Sequence, residues 1–233
     1  MDSIIKVKNL VKSYKSGESE LVILKNLELE IPTGQFLSIT GKSGSGKSTL
    51  LYQLGLLDYP NSGEITVDGV NVSLLENDER TKFRLNRLGY IFQDYALIPE
   101  LTALENVMLP LLMQGLSSEK AKEKSLSSLN KIGLSGRMGN TPSELSGGEQ
   151  QRVAIARAIA HEPKVIFADE PTANLDSETS KGVLQAFLDL HKQGQTIVMV
   201  THEAEYAELT DRIVLLSDGH IMEDRMVEIR GKI

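Results

Sequence analysis

Residues 41–49 constrain the fold of this chain more than any other part of the sequence. They read G-K-S-G-S-G-K-S-T and fit G-x-x-x-x-G-K-[ST], a loop whose backbone amides wrap around nucleotide phosphates. The preceding residues 36–40 are apolar and β-prone, and residues 49–54 are compatible with a helix, so the loop is expected between a strand and a helix N-terminus. Glycines let successive N–H groups converge on one anion, while Lys47 adds a positive charge and Ser48 a hydroxyl for Mg²⁺. The pattern therefore predicts a phosphate-binding loop of an α/β protein that uses a nucleoside triphosphate.

Composition restricts the class of protein further. A chain of 233 residues with 40% hydrophobic content is long enough for one large domain or for a core with an inserted subdomain. The net charge of −7 argues against a surface that binds nucleic acid, which normally has a basic excess. Cysteine is absent, which excludes disulfides and thiolate metal sites. No apolar run approaches the roughly 18 residues that span a bilayer, and the N-terminus lacks the pattern of a signal peptide, so we expect a cytoplasmic protein without its own membrane anchor.

The order of predicted strands and helices indicates an α/β fold. Residues 4–8 and 21–31 read as strands and residues 64–67 and 70–72 as a hairpin, which predicts an antiparallel region near the N-terminus. From about residue 101 to residue 161 the pattern is helical. Later strands are continuously apolar, as expected for parallel strands covered on both faces. The buried strands are predicted at 89–93, 165–168, 196–200 and 212–216, with a helix at 177–192, and the last ten residues stay unassigned.

Two carboxylates follow one of these buried strands. Asp169 and Glu170 come directly after the apolar residues 165–168, at the end of the strand where ligands bind in open α/β sheets. Asp169 is suited to holding Mg²⁺ through water, and Glu170 to polarising an attacking water. An isolated Asp-Glu pair is more often a solvated turn, but the upstream phosphate loop favours the catalytic interpretation.

A second anion-binding feature is predicted at residues 145–152. Ser146 and Glu149 have the spacing of a capping box, so a helix is expected to begin here. Gly147 and Gly148 beside the cap expose the positive end of that helix and its free amides. Two phosphate sites with one expected γ-phosphate imply that a partner molecule completes each site.

With these motifs in view, the sequence resembles the ATP-binding-cassette (ABC) ATPases over essentially its whole length. Residues 41–49 are similar to the Walker A loop of that family, residues 145–149 to its signature motif, and residues 165–170 to its Walker B strand. Gln93 stands where the family has its Q-loop glutamine, Asp176 in a segment like its D-loop, and His202 like its switch histidine. Tyr14 matches the aromatic residue that stacks on adenine. The one departure is Glu149, where many members have glutamine.

The resemblance implies a fold and a set of site residues. The implied fold is a P-loop NTPase core with a mostly parallel sheet, an N-terminal antiparallel β subdomain and an inserted α-helical subdomain. Within one domain of residues 1–233, the core with its β subdomain would comprise 1–94 and 162–233, and the helical subdomain 95–161. Glu170 and His202 would be catalytic, and Ser48, Gln93 and Asp169 would hold Mg²⁺. Residues implied in ATP binding are Tyr14, Gly41, Lys42, Ser43, Gly44, Ser45, Gly46, Lys47, Ser48, Thr49 and Gln93, and those facing the partner's ATP are Leu145, Ser146, Gly147, Gly148 and Glu149, with Asp176 acting across the dimer.

Residues 92–111 carry a finer resemblance, to the cassettes of the lipoprotein-releasing, macrolide-exporting and antimicrobial-peptide-resistance group, which includes the cell-division cassette. The implied protein binds ATP and Mg²⁺, forms a homodimer on ATP binding and drives a separate integral membrane permease for export or release of lipoprotein, macrolide or peptide. It would lie on the inner face of the cell membrane through that permease and bind no nucleic acid. Apolar residues of this segment could line a groove for the permease, although Leu97, Leu101 and Leu104 could equally pack the helical region.

The alternatives to a transporter subunit are a cell-division type of cassette, a soluble ABC ATPase and a GTPase. A cell-division type of cassette would use ATP to switch a membrane partner without moving a solute, and the sequence does not separate the two. A soluble ABC ATPase of DNA repair or translation would carry a long coiled-coil insertion or two cassettes, and neither is present. A GTPase is disfavoured because residues 130–133, N-K-I-G, lack the aspartate that reads guanine.

Overall fold

The computed structural model describes residues 2–17 and 19–228, which form two compact units. The first takes its described residues from Met1–Thr81 and Gln193–Ile233, and the second is Lys82–Lys192. The boundaries predicted from the sequence, after residues 94 and 161, stay a prediction. Residues 1, 18 and 229–233 of the predicted single domain lie outside the described residues.

The chain begins with three strands, after which helices and strands are interspersed. Among the described residues, the strands are β1 (Ser3–Ser16), β2 (Ser19–Pro32), β3 (Phe36–Thr40), β4 (Ser62–Val67), β5 (Val70–Asn71), β6 (Leu88–Ile91), β7 (Val165–Asp169), β8 (Thr196–Val200), β9 (Arg212–Ser217) and β10 (His220–Met226). The helices are α1 (Lys47–Leu54), α2 (Asn77–Arg87), α3 (Ala103–Met113), α4 (Ser118–Lys131), α5 (Gly147–Ile159), α6 (Ser177–Lys192) and α7 (Ala204–Ala207). No helix in this part of the chain is long and apolar enough to cross a membrane.

The first unit contains an antiparallel region in which β1 pairs with both β2 and β4, and β4 with β5. Alternate residues of β2 are buried near its end, as expected for a sheet with one solvated face. β1 is much longer than the predicted strand at 4–8. Register shifts between Val7 and Leu10, and again beyond Leu10, interrupt the alternation of apolar and polar residues, so the sequence pattern does not reveal the rest of the strand. The extra length of β1 carries Tyr14.

The same unit contains parallel strands that position the phosphate loop. β3 pairs in parallel with β8 on one side and with β9 on the other, and β9 pairs with β10 in antiparallel fashion. All five residues of β8 and four of the five in β3 are buried, which explains their unbroken apolar sequences. Because neighbouring parallel strands end at the same edge, the residues that follow β3 and β8 lie close together.

The second unit combines two parallel strands, β6 and β7, with the helices α3 to α6. The helical stretch predicted at about 101–161 contains α3, α4 and α5. Capping boxes at Thr102 and Ser146 begin α3 and α5. Gly89 of β6 lets α5 approach closely, since a Cβ at this position would lie 2.6 Å from the Ala158 carbonyl oxygen.

Candidate nucleotide-binding site

The glycine-rich loop lies between β3 and α1, as the sequence predicts. Gly41 and Gly46 have φ of +144° and +100°, a backbone region that favours glycine. A Cβ on Gly41 would lie 2.1 Å from the Leu216 carbonyl oxygen, so no side chain fits there. Lys47 is buried at the start of α1 and its Nζ donates to the carbonyl oxygens of Gly41 (2.9 Å) and Lys42 (3.1 Å). An ammonium has three protons, so this geometry leaves one for a phosphate oxygen.

Tyr14 and His202 belong to the same unit as this loop. Tyr14 pairs with Leu21 of β2, a strand whose Ile23 and Leu24 side chains lie beside Gly46 of the loop, and 42% of Tyr14 is exposed. His202 follows β8, the parallel neighbour of β3, and its Nε2 lies 3.4 Å from Oε1 of Glu203. The structure therefore brings together an exposed aromatic ring, the phosphate loop and a histidine.

Asp169 and Glu170 lie in the second unit, at the carboxyl end of β7. Asp169 is buried, and Glu170 has a φ of +45°, in the left-handed region that non-glycine residues rarely adopt. Strained residues of this kind cluster at functional sites. Gln93 follows β6, the parallel neighbour of β7, and its carbonyl oxygen accepts a hydrogen bond from Asn174 Nδ2 (3.0 Å). The Q-loop, Walker B and D-loop segments are thus adjacent within this unit.

The signature residues form the N-terminus of α5. Ser146 Oγ accepts from the Glu149 amide (3.3 Å), and Glu149 Oε2 accepts from the Ser146 amide (2.9 Å), so the predicted capping box is present. Arg137 Nε donates to Glu149 Oε1 (2.8 Å). The backbone hydrogen bond from Ser146 and the Arg137 contact hold the pKa of Glu149 below its ordinary value, despite the opposing effect of burial. Leu145, just before the cap, is buried.

Gly148 has a packing role that the sequence pattern does not reveal. It is buried, and a Cβ at this position would lie 2.1 Å from Cγ2 of Thr179 on α6. Thr179 is held in turn by Asp176, whose carboxylate accepts from the Thr179 amide (2.9 Å) and hydroxyl (2.7 Å). These bonds, the amide bond first, lower the pKa of Asp176. The signature helix and the D-loop aspartate therefore meet through one threonine.

The predicted magnesium ligands suit that ion chemically. Ser48, Gln93 and Asp169 offer oxygen atoms and a single carboxylate, which matches an ion that takes its remaining ligands from phosphate and water. Among residues 2–17 and 19–228, no group of three or more His, Asp and Glu side chains is arranged to hold a metal by itself.

Sequence reasoning missed four residues that contact the predicted site: Lys12 and Asp58 beside Tyr14, Arg137 on Glu149, and Thr179 against Gly148. None belongs to a motif. The only signal in the sequence that could have indicated such a residue is a charge close to the motif residue, as for Lys12, two residues before Tyr14.

A groove with a mostly apolar lining lies within the second unit. Its volume is about 280 Å³. It is lined by Leu85, Leu88, Tyr90, Phe92, Ala96, Leu109, Pro110, Met113, Arg157, Ala158 and His161. Phe92, Ala96, Leu109 and Pro110 come from the segment 92–111 in which the sequence predicts groove residues, but Leu97, Leu101 and Leu104 are not part of the lining.

Comparison with known proteins identifies the family. The ABC transporter family model matches residues 24–173. The lipoprotein-releasing system ATP-binding protein LolD of Aquifex aeolicus is 49% identical over 95% of this chain and 97% of its own length. The macrolide export ATP-binding/permease protein MacB of Chlorobaculum tepidum is 44% identical over 95% of this chain, which spans 34% of that longer protein. A dimeric structure of the cassette MJ0796 in a post-hydrolysis state, bound to ADP and Pi, has a TM-score of 0.89, 44% identity, and coverage of 96% of this chain and 99% of that one. This chain is an ATP-binding-cassette ATPase and belongs to the ABC transporter family.

Proposed function

We propose that this chain is the ATP-hydrolysing subunit of a transporter and that two copies close head to tail around two ATP molecules. The observation that carries the proposal is that one chain has two separate features suited to phosphate. One is the loop around Lys47, and the other is the N-terminus of α5, where Ser146 caps the helix. Each ATP would lie between the loop of one copy and α5 of the partner subunit. The solved MJ0796 cassette is also dimeric.

Within each site, the roles follow from chemistry. Lys47 and the loop amides would bind the phosphates, Tyr14 would stack on the base, and Ser48, Gln93 and Asp169 would hold Mg²⁺. The ion would neutralise phosphate charge. Glu170 would polarise the attacking water, and its left-handed backbone conformation is of the kind that clusters at functional sites. His202 would contact the γ-phosphate and orient the same water.

Closure of the dimer then follows from binding. The γ-phosphate would touch Ser146 and the glycine amides of the partner subunit only in the closed state. A ligand shifts a conformational equilibrium by its difference in affinity for the two states, so ATP favours closure. Hydrolysis removes those contacts and reopens the dimer.

The test compares Glu170→Gln with Glu170→Gln/Ser146→Arg. Glutamine keeps the shape of the residue but removes the base, so we expect the ATPase rate to fall about 100-fold or more while ATP still binds. The single variant should accumulate as a nucleotide-bound dimer in analytical ultracentrifugation. Adding Ser146→Arg should abolish this dimer, because the larger side chain fills the space meant for the partner's γ-phosphate.

The matched control is Glu170→Gln/Ser143→Arg, which places the same arginine on an exposed serine outside the signature. This control should still dimerise with ATP. An unchanged ATPase rate in Glu170→Gln would refute the role of Glu170, and a normal dimer in the Ser146→Arg combination would refute the head-to-tail arrangement.

We further propose that the apolar groove of the second unit receives a helical segment of a membrane permease. Its rim is accessible, since Met113 is 63% exposed. The MacB relative is named as an ATP-binding and permease protein in one chain. We propose that the permease of this protein is a separate chain, which needs a docking surface, and an apolar groove suits an amphipathic helix.

The groove is connected to Gln93 by a short segment. Arg157, which lines the groove, donates to the carbonyl oxygens of Tyr95 (2.8 Å) and Ala96. Tyr95 and Ala96 have φ of +64° and +46°, so this segment is held in an unusual conformation. A helix seated against Ala96 would therefore press on the residues that follow Gln93. This gives a physical route from the permease to the nucleotide.

The proposed function includes a location for this chain and a class of transported substrate. The chain would lie on the cytoplasmic face of the membrane through its permease. The relatives LolD and MacB are named for lipoprotein release and macrolide export. Release or export of a lipoprotein, macrolide or peptide is therefore the transport that we propose.

A further inference from the structure

One carboxylate in the first unit collects three donors beside the ring of Tyr14. Asp58 Oδ2 accepts from the Tyr14 hydroxyl (2.8 Å). Asp58 Oδ1 accepts from Lys12 Nζ (2.9 Å) and from the Tyr59 amide (2.7 Å). Such charge-assisted bonds are stronger than neutral ones and fix the direction of each partner.

The turn that carries Asp58 is itself fastened. Lys12 is only 8% exposed, and its Nζ also donates to the Tyr59 carbonyl oxygen (2.7 Å). Arg80 is 2% exposed; its Nη2 donates to the Asp58 carbonyl oxygen (2.6 Å), and its guanidinium lies 3.9 Å from the centre of the Tyr59 ring. Asp58 therefore cannot shift without breaking contacts of buried cations, and the Tyr14 hydroxyl has a rigid acceptor.

The ring of Tyr14 is restricted on one face as well. Lys12 Nζ lies 4.7 Å from the ring centre, in the geometry of a cation–π contact. A base can then stack only on the opposite face. Tyr14 also pairs with Leu21 of β2, a strand whose Ile23 and Leu24 side chains lie beside Gly46 of the phosphate loop.

The protonation states agree with this geometry. Burial and the Asp58 hydrogen bond raise the pKa of Tyr14 to about 12, so its hydroxyl stays a donor. Burial tends to raise the pKa of Asp58, but the hydrogen bonds from Lys12 and Tyr14 outweigh it and hold the pKa below its ordinary value. Asp58 is thus an ionised acceptor at neutral pH.

We infer that Asp58 is a positioning residue that, with Lys12, holds the Tyr14 ring ready to stack on the nucleotide base. This inference rests on the proposed nucleotide site. Its consequence is selective: Asp58 should support the part of nucleotide affinity that depends on the base, and leave the part that depends on the phosphates unchanged. A merely structural residue would affect both.

The test measures the affinities of Mg-ADP and Mg-pyrophosphate for Tyr14→Ala, Tyr14→Phe and Asp58→Asn by calorimetry or competition. Loss of base stacking in Tyr14→Ala should weaken ADP binding about 5- to 150-fold. Asp58→Asn and Tyr14→Phe should each weaken it about threefold or more, because the ring is still present but no longer fixed. Pyrophosphate affinity should stay within about twofold in all three. In steady state, the KM for ATP should rise more than kcat falls.

Two further variants complete the design. Asp58→Asn added to Tyr14→Phe should have a smaller effect than it has alone, since the hydroxyl that Asp58 holds is already missing. Asp78→Asn removes an exposed carboxylate of the same unit and should change neither affinity.

The outcomes separate the inference from the proposed function. If Tyr14→Ala leaves ADP affinity unchanged, Tyr14 does not bind the base, and both the proposed base site and this inference are refuted. If Tyr14→Ala weakens ADP binding but Asp58→Asn does not, only the positioning role is refuted. The positioning role is equally refuted if Asp58→Asn weakens ADP and pyrophosphate by the same factor, or if its effect is fully additive with Tyr14→Phe.

Discussion

Replacing Gly148 by alanine should destabilise the second unit, although alanine is normally the better residue in a helix. A Cβ at this position would lie 2.1 Å from Thr179 Cγ2, against an ordinary carbon–carbon contact of about 3.5–4.0 Å. The threonine cannot simply rotate, because its hydroxyl donates to Asp176 (2.7 Å). Relief therefore requires either a shift of α5 from α6 or the loss of that hydrogen bond.

The size of the effect can be estimated from a matched glycine. Gly182 lies inside α6, and a Cβ there would meet no atom within 4 Å. Gly182→Ala should stabilise the protein by up to about 1 kcal/mol through helix propensity. Gly148→Ala has a similar local gain but adds overpacking, which typically costs about 1–3 kcal/mol. We expect the two variants to differ in the free energy of unfolding by about that overpacking cost.

Urea unfolding of Gly148→Ala, Gly182→Ala, Thr179→Ser and Gly148→Ala/Thr179→Ser measures the difference directly. Serine keeps the hydroxyl that binds Asp176 but lacks Cγ2, and the next nearest Thr179 atom, Cβ, is at a normal 3.5 Å. Thr179→Ser should therefore recover most of the loss in the Gly148→Ala background, with a coupling of about 1–3 kcal/mol. A Gly148→Ala protein as stable as Gly182→Ala, or one that Thr179→Ser does not rescue, would refute the packing argument.

Two more predictions concern the groove and the signature carboxylate. Met113→Glu should abolish co-purification with the permease and any stimulation of ATPase activity by it, because Met113 lines the groove. Leu112→Glu, on the same helix but outside the lining, should do neither. Equal effects of the two variants would contradict the docking site. The pKa of Glu149 is lower in the folded protein than its ordinary value of 4.5, so its stabilising effect is present above that pH and is lost as the pH falls through the lowered pKa. Acid unfolding of Glu149→Gln should therefore depend less on pH than that of the unmodified protein below about pH 4.5, and an identical pH profile would contradict this.

The sequence predicts those elements whose burial is continuous or whose caps are local. β3, β8 and α6 have the bounds that the apolar runs and the helix pattern indicate. α2 was missed because its sequence, NDERTKFRLNR, has no apolar stripe. Its buried residue is Arg80, whose burial depends on hydrogen bonds to the carbonyl oxygens of Val72 and Asp58. A periodicity of hydrophobic residues cannot reveal a helix anchored in that way.

The residues of the candidate site also fall into those that the sequence indicates and those that it does not. The motif residues could be proposed from the sequence because each motif is contiguous and its chemistry depends on neighbours in sequence. The contacts that orient them are distant in sequence: Tyr14 and Asp58 are 44 residues apart. Gly148 was interpreted only as a residue that opens the helix end to an anion, whereas the structure shows that it also makes room for Thr179. Contacts of this kind depend on the folded backbone, which the motif spacing does not determine.

Glu149 illustrates how such a contact changes the interpretation of a motif. A carboxylate in the first turn of α5 favours the helix, because it complements the positive N-terminus. The same negative charge would oppose a phosphate bound at that N-terminus. Arg137 resolves the conflict, since its Nε binds Glu149 Oε1 (2.8 Å) and makes the pair neutral. Because Arg137 is 53% exposed in its side chain, the pair adds little to stability, and its main consequence is electrostatic. Glutamine at position 149 needs no such partner, so substitutions at positions 137 and 149 should be interpreted together.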